Sequence, residues 1–137
     1  MSVDTACSSS LAALFGAALC VRSDESPAML TVAVNLVLDP RTSVTFARAG
    51  MLSADGRCKA FDAVANGYVR AEGVGGLVIS STSPHETFVR LSSVVVQQDG
   101  MSASLTAPNG SAQVTLVGNA IRRAVTDSST YLSLIHI

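Results

Sequence analysis

The stretch Asp4-Thr5-Ala6-Cys7-Ser8-Ser9-Ser10 runs without a break into Leu11-Ala12-Ala13-Leu14-Phe15-Gly16-Ala17-Ala18-Leu19-Cys20-Val21-Arg22. Leu11, Leu14, Phe15, Ala18 and Leu19 follow the helical period, which predicts a helix over residues 8–22. The other side carries Ala12, Ala13, Gly16, Ala17 and Cys20, small rather than charged. Such a helix is expected to be buried all round and packed closely against another element. Cys7 then sits at a helix N-terminus, where the first backbone N–H groups lack intrahelical partners and the dipole is positive. That position favours the thiolate, the nucleophilic form of the side chain. The Cys7 backbone N–H is also placed to help hold an oxyanion on a thioester carbonyl. Local chemistry leaves a second reading open, a buried structural cysteine, one of the commonest interior residues.

Working outward, Ser23-Asp24-Glu25-Ser26-Pro27 ends the helix. Residues 29–38 are almost continuously apolar and predict a strand of the kind found in a parallel sheet covered on both faces. Asp39-Pro40 stops it. Residues 41–70 are expected to form a long loop with turns at Gly50, Asp55-Gly56 and Asn66-Gly67, and loops of that length are often functional. Strands are predicted over residues 75–80 and 89–96, and a helix over residues 111–125 with Val114, Val117, Ile121 and Ala124 on one face. Helices mixed with buried strands indicate a layered α/β fold.

Composition bounds the function. Nine Lys and Arg against ten Asp and Glu leave a net charge of −1, which steers the chain towards neither nucleic acid nor an anionic membrane. With no Trp and 4% aromatic residues there is little from which to build a stacking platform for bases. The apolar runs fall short of the about 20 residues that span a bilayer. No secretory signal opens the chain, and the spacings of Cys7, Cys20 and Cys58 match neither a disulfide framework nor a metal site. A reducing, cytoplasmic setting is the expectation, with no bound metal.

Four blocks, in order, resemble the β-ketoacyl synthases of modular polyketide synthases and fatty-acid synthases. Val3-Asp4-Thr5-Ala6-Cys7-Ser8-Ser9-Ser10-Leu11 resembles the active-site motif. Val34-Asn35-Leu36-Val37-Leu38-Asp39-Pro40 resembles the strand after the nucleophile helix. The run from Ala49 through Asp55-Gly56-Arg57-Cys58-Lys59-Ala60-Phe61-Asp62 to Asn66-Gly67-Tyr68-Val69-Arg70-Ala71-Glu72-Gly73 resembles the central loop. Gln98-Asp99-Gly100 with Ser102-Ala103-Ser104-Leu105-Thr106-Ala107-Pro108-Asn109-Gly110 resembles the substrate-side loop. The resemblance implies an α/β, thiolase-like fold, of which this chain is a part: the end of the first α/β half and the start of the second. It implies Cys7 as the acyl-accepting nucleophile and oxyanion-hole N–H, and Thr106 near the acyl or pantetheine channel. The implied reaction is acyl transfer to Cys7, then decarboxylative condensation with a malonyl-type extender. Substrates would ride on the phosphopantetheine of acyl carrier protein, with no other bound cofactor, and the full domain would be a homodimer.

The same resemblance implies two catalytic histidines, one in a His-Gly-Thr-Gly-Thr motif and one near an Asn-rich loop. Neither motif occurs here, nor does the Lys that follows the first, nor a Gly-Phe-Gly-Gly turn. His85 lies in a Ser-Pro-His-Glu turn and reads as a solvated loop residue, so the chain alone is expected to be inactive. Gln97 stands for a usual Asn, Ala71 for a usual Gly and Ser111 for a usual Pro, departures that bear on substrate preference more than on identity. Residues 1–124 are read as the partial synthase domain, with Met1-Ser2-Val3 internal to the family pattern, and residues 125–131 as a tail of uncertain character. Residues 132–137, Leu-Ser-Leu-Ile-His-Ile, read as the translated end of a transposase-based sequencing adapter and are expected to lie outside the fold.

Other functions are weaker. A non-catalytic thiolase-fold partner subunit, chain-length-factor-like, would replace the nucleophile, and Cys7 argues against it. A redox module would want a resolving Cys two residues from Cys7, and none is there. Glu72-Gly73-Val74-Gly75-Gly76 lacks dinucleotide-loop spacing and leads into a strand, so its glycines read as close packing. Asn109-Gly110-Ser111 matches a glycosylation sequon but reads as a turn and helix cap. Cys20 reads as core; Cys58, beside Lys59, is left between a structural and a functional role.

Overall fold

The computed structural model describes residues 1–81, 89–104, 107–126 and 133–136. The elements follow the predicted order with two additions, a helix over Pro40–Arg48 and a strand over Ser133–His136. A 3₁₀ turn over Ala6–Ser8 leads into α1 (Ser9–Arg22), then β1 (Ala28–Asn35), α2 (Pro40–Arg48), β2 (Gly73–Ser80), β3 (Val89–Arg90), α3 (Gly110–Thr126) and β4 (Ser133–His136). The chain divides into two units, Met1–Ala33 with Gly75–Ile137, and Val34–Val74.

In the first unit the core lies between α1 and the sheet. Leu14, Ala17, Ala18 and Val21 of α1 are buried with Ile79 of β2, and Met29, Leu77, Leu91 and Val94 pack around them. Alanines on the inward face of α1 let the helix lie close to the strands, and full burial of one aliphatic side chain such as Ile79 contributes about 1.5–3 kcal/mol. Only this side of α1 is covered. Leu11 remains 63% exposed and Leu19 51%, so the helix is not enclosed all round as its composition predicts.

The strands form one sheet in the order β1-β2-β4-β3. The predicted parallel arrangement is not what forms. β4 runs antiparallel to β2, with Leu77 opposite His136 and Ser80 opposite Ser133, and antiparallel to β3. β1 starts beside the end of β2, where the Ser81 N–H donates to the Pro27 carbonyl (3.2 Å). β1 lies at the sheet edge and ends at Asn35, three residues before its apolar run does. Its outward side chains Leu30 and Val32 are exposed, so cover on both faces is absent as well. The strand predicted over residues 89–96 is reduced to two residues, because Leu91 and Val94, three apart, both turn to the core. Ser133–His136, within the hexapeptide set apart in the sequence, form β4. Backbone pairing asks only for an extended segment, so this placement is independent of the hexapeptide's origin.

The second unit, Val34–Val74, contains a helix that the sequence reading missed. Asp39-Pro40 does stop β1, but it also starts α2. Asp39 caps the helix by accepting the Arg41 N–H (2.8 Å), with Pro40 in the first turn. No residue of this unit is buried, and side-chain hydrogen bonds hold it instead. Glu72 Oε1 accepts the Val37 N–H (2.8 Å), and Asn35 Nδ2 donates to the Ala71 carbonyl. The Arg70 guanidinium donates to Ser43 Oγ (2.9 Å) and lies 5.4 Å from the centre of the Phe46 ring.

Candidate active site

Cys7 occupies the 3₁₀ turn directly ahead of α1, and its thiol is free and exposed. The residue before it, Ala6, has φ +55°, in the left-handed region that costs a non-glycine residue about 1–2 kcal/mol. Strain of that kind persists only where neighbours over-determine the backbone. Here they do. Asp4 Oδ1 accepts the Ala6 N–H (3.1 Å), and Ser9 Oγ accepts the Thr5 N–H (2.9 Å) while donating to the Ala6 carbonyl (2.7 Å). Ser8 Oγ donates to the Thr5 carbonyl (2.8 Å) and lies 2.9 Å from Thr5 Oγ1. The polar residues around Cys7 are therefore consumed in fixing the turn, and the thiol is presented outward at the start of the helix. The serine-rich run is visible in the sequence; its bonding pattern is the part that sequence reasoning missed.

The other two cysteines are differently placed. Cys20 is half-buried on α1, and burial pushes its thiol up, with the hydrogen bond and negative charge of Glu25 adding to the effect. That disfavours a thiolate. Cys58 belongs to the second unit, where its Sγ accepts the Val69 N–H (3.1 Å), which assigns it a bond inside the loop. The same loop is tied by a polar cluster. Asp55 accepts from Ser53 Oγ (2.6 Å) and Asn66 Nδ2 (3.1 Å) and pairs with Lys59 Nζ (2.5 Å).

In the first unit, the loop before α3 is clamped by Asn109. Its Nδ2 donates to the carbonyls of Asp99 (2.9 Å) and Met101 (3.1 Å), and its Oδ1 caps α3 by accepting the Ala112 N–H (3.2 Å). The cap expected at Asn109 thus forms. A shallow groove of about 500 Å³ runs beside it, lined by Met101, Ala103, Pro108 and Asn109 among others; Cys7 is not part of its wall. Thr106 and His85 lie outside the described residues. Among the described residues, no group of three or more His, Cys, Asp or Glu could hold a metal ion, and no helix is long and apolar enough to cross a membrane.

Residues 1–85, which contain the Cys7 turn, α1, β1, the whole second unit and β2, match the family model for the β-ketoacyl synthase N-terminal domain. The chain belongs to the β-ketoacyl synthase family. As a ketosynthase sequence it is 42% identical over 124 residues to a phenolphthiocerol/phthiocerol polyketide synthase of Mycobacterium tuberculosis, covering 87% of this chain and 6% of that protein. It is likewise 42% identical over 129 residues to polyketide synthase GfsE of Streptomyces halstedii, covering 90% and 3%. Among solved structures it is similar to an oxazolomycin ketosynthase domain of Streptomyces albus JA3453, with TM-score 0.80 and 35% identity over 91% of this chain and 23% of that one. The ketosynthase from module 6 of the bacillaene synthase of Bacillus subtilis 168 gives TM-score 0.77 at 34% identity, over 90% and 23%. The ketosynthase chain therefore carries part of a thiolase-like fold and spans less than a quarter of the solved ketosynthase chains and a few per cent of the curated relatives.

Proposed function

We propose that Cys7 is the acyl-accepting nucleophile of a polyketide-type ketosynthase that elongates chains carried on acyl carrier protein. The observation that supports this is the exposed, free Cys7 thiol in a strained, side-chain-locked turn at the start of α1, inside the segment that matches the family model. The first step is transthioesterification. The Cys7 thiolate attacks the carbonyl carbon of an acyl thioester and forms a new C–S bond, the C–S bond to the carrier breaks, and the carrier leaves as a thiolate that takes a proton from water. Backbone N–H groups at the helix start hydrogen-bond the transient oxyanion. In the second step a malonyl-type thioester loses carbon dioxide. The electron pair released forms a C–C bond to the Cys7-bound carbonyl, and the C–S bond breaks to restore the thiolate.

Decarboxylation and enolate stabilisation need the two histidine motifs that the resemblance implies, and the sequence contains neither. Condensation is therefore an activity of a longer ketosynthase that includes this segment, acting as a homodimer, and residues 1–137 alone are expected to form no condensation product. The test uses the complete ketosynthase. After incubation with an acyl thioester, peptide mass spectrometry should find the acyl group on Cys7, and Cys7→Ala should abolish condensation. Label on Cys20 or Cys58 with Cys7 unmodified would sink the assignment.

A further inference from the structure

Two Asn-Gly pairs occur in the chain, Asn66-Gly67 and Asn109-Gly110, and the structure holds them differently. In such a pair the glycine nitrogen, with no Cβ beside it, can reach the asparagine side-chain carbonyl and close a five-membered imide. Asn109 resists this. Its Nδ2 donates to two carbonyls, its Oδ1 caps α3, and Gly110 is already the first residue of that helix. Asn66 and Gly67 are both exposed and lie outside any helix or strand. Among the described residues no acceptor takes the Gly67 N–H, so the attacking nitrogen has no hydrogen bond to break. The Asn66 amide is also polarised in the direction that ring closure requires. Its Oδ1 faces the Lys59 ammonium at 3.1 Å, and its Nδ2 donates to Asp55 Oδ1 at 3.1 Å. Lys59 is paired with Asp55 (2.5 Å) and its side chain is only 18% exposed, which keeps the cation on that oxygen.

We propose that Asn66 is a self-modification site, converted to aspartate and isoaspartate by attack of the Gly67 nitrogen. Gly67 N gives its proton to water and bonds to Asn66 Cγ, and the carbonyl electron pair moves onto Oδ1 beside Lys59. The carbonyl then reforms, the Cγ–Nδ2 bond breaks, and the amine takes a proton from water and leaves as ammonia past the Asp55 carboxylate. Water opens the imide at either carbonyl. The isoaspartyl product lengthens the main chain by one carbon where it has no room. Leu52 and Tyr68 are bridged, and a Cβ on Gly67 would already lie 2.5 Å from the Leu52 carbonyl carbon. The new carboxylate also sits beside Asp55 with one Lys59 to share. Conversion therefore unzips the loop and withdraws the Val69 N–H from Cys58 Sγ, making that thiol more reactive. None of this depends on the chemistry assigned to Cys7.

The complete ketosynthase, kept folded in mildly alkaline buffer and sampled over time, tests it. Peptide mass spectrometry with electron-transfer fragmentation separates asparagine, aspartate and isoaspartate at positions 66 and 109. Conversion at Asn66 is expected to run about tenfold or more ahead of Asn109, where ring closure forfeits the helix cap. That margin should vanish in denaturant. Lys59→Met should slow Asn66 about tenfold, less than an enclosed oxyanion donor would, and Lys59→Arg should retain most of the rate. Equal conversion at the two sites in the folded protein would overturn the proposal, as would the same ratio folded and unfolded. This comparison needs no variant, so it stands even where Lys59→Met loosens the loop. A Lys59→Met protein with the parent rate would remove Lys59 from the step. Iodoacetamide should label Cys58 faster as isoaspartate accumulates, and an unchanged rate in converted protein would defeat the coupling.

Discussion

Ser9 Oγ accepts the Thr5 N–H at 2.9 Å and returns its own proton to the neighbouring Ala6 carbonyl at 2.7 Å, so one side chain of α1 staples both sides of the residue that precedes Cys7. Each hydrogen bond of this type contributes about 0.5–1.5 kcal/mol net. Ser9→Ala is expected to lower the stability of the complete ketosynthase by about 1–2 kcal/mol, and to slow Cys7 acylation more than it weakens substrate binding. Stopped-flow acylation alongside denaturant melts checks this. An unchanged acylation rate constant would show that the staple does not set the position of Cys7.

The left-handed backbone at Ala6 makes a separate prediction. Ala6→Gly removes the steric cost of φ +55° and should leave stability within about 1 kcal/mol of the parent, because relief of strain is offset by a more flexible unfolded chain. Ala6→Val places a β-branched side chain in the same conformation and should destabilise by more than the strain already present at alanine. Thermal melts of the pair give the order Gly above Val, and the reverse order would mean that the turn relaxes on substitution.

Gly67 has φ +132°, and a Cβ there would lie 2.5 Å from both the Leu52 carbonyl carbon and the Ser53 nitrogen. The surrounding backbone cannot give way cheaply, since Tyr68 N–H donates to Met51 (3.1 Å) and Ser53 N–H donates to Tyr68 (3.0 Å). Gly67→Ala is expected to destabilise by well over about 1 kcal/mol, the scale for alanine forced to positive φ. Hydrogen exchange should place the damage within residues 51–69, with the amides of α1 unaffected.

Asp55 links the loop to acidity. The Lys59 ammonium, with hydrogen bonds from Ser53 and Asn66, holds its carboxyl well below the ordinary carboxylate range. A depressed carboxyl contributes stability above its unfolded pKa of about 3.9, and loses it as pH falls through the folded value. The loop should therefore be unchanged from neutrality down to about pH 4 and loosen in stronger acid. Because the group is open to solvent, salt should weaken the effect. Limited proteolysis across a pH series, with Asp55→Asn as the variant that flattens the response, measures it. Equal acid sensitivity in both proteins would assign the transition elsewhere.

Local pattern was enough for the Cys7 turn, the helix behind it and the Asn109 cap. The period of Leu11, Leu14, Phe15, Ala18 and Leu19, the Cys7 motif and the Asn109 cap all act within a few residues, where steric and hydrogen-bonding rules are nearly independent of the rest of the chain. α2 was legible in principle from Asp39-Pro40, a cap followed by a residue suited only to a first turn, and was lost because the same pair also reads as a strand stop. Tertiary structure decided what no window of sequence contains. It set the strand order β1-β2-β4-β3 with β4 antiparallel to both its neighbours, turned Leu91 and Val94 to one core, and joined Glu72 to Val37 and Arg70 to Ser43 across the length of a loop. It also decided which side of α1 is covered. An apolar helix states only that both faces avoid water; which one meets Ile79 depends on contacts between residues far apart in the chain, whose loop-closure cost and burial are settled only when the whole is assembled.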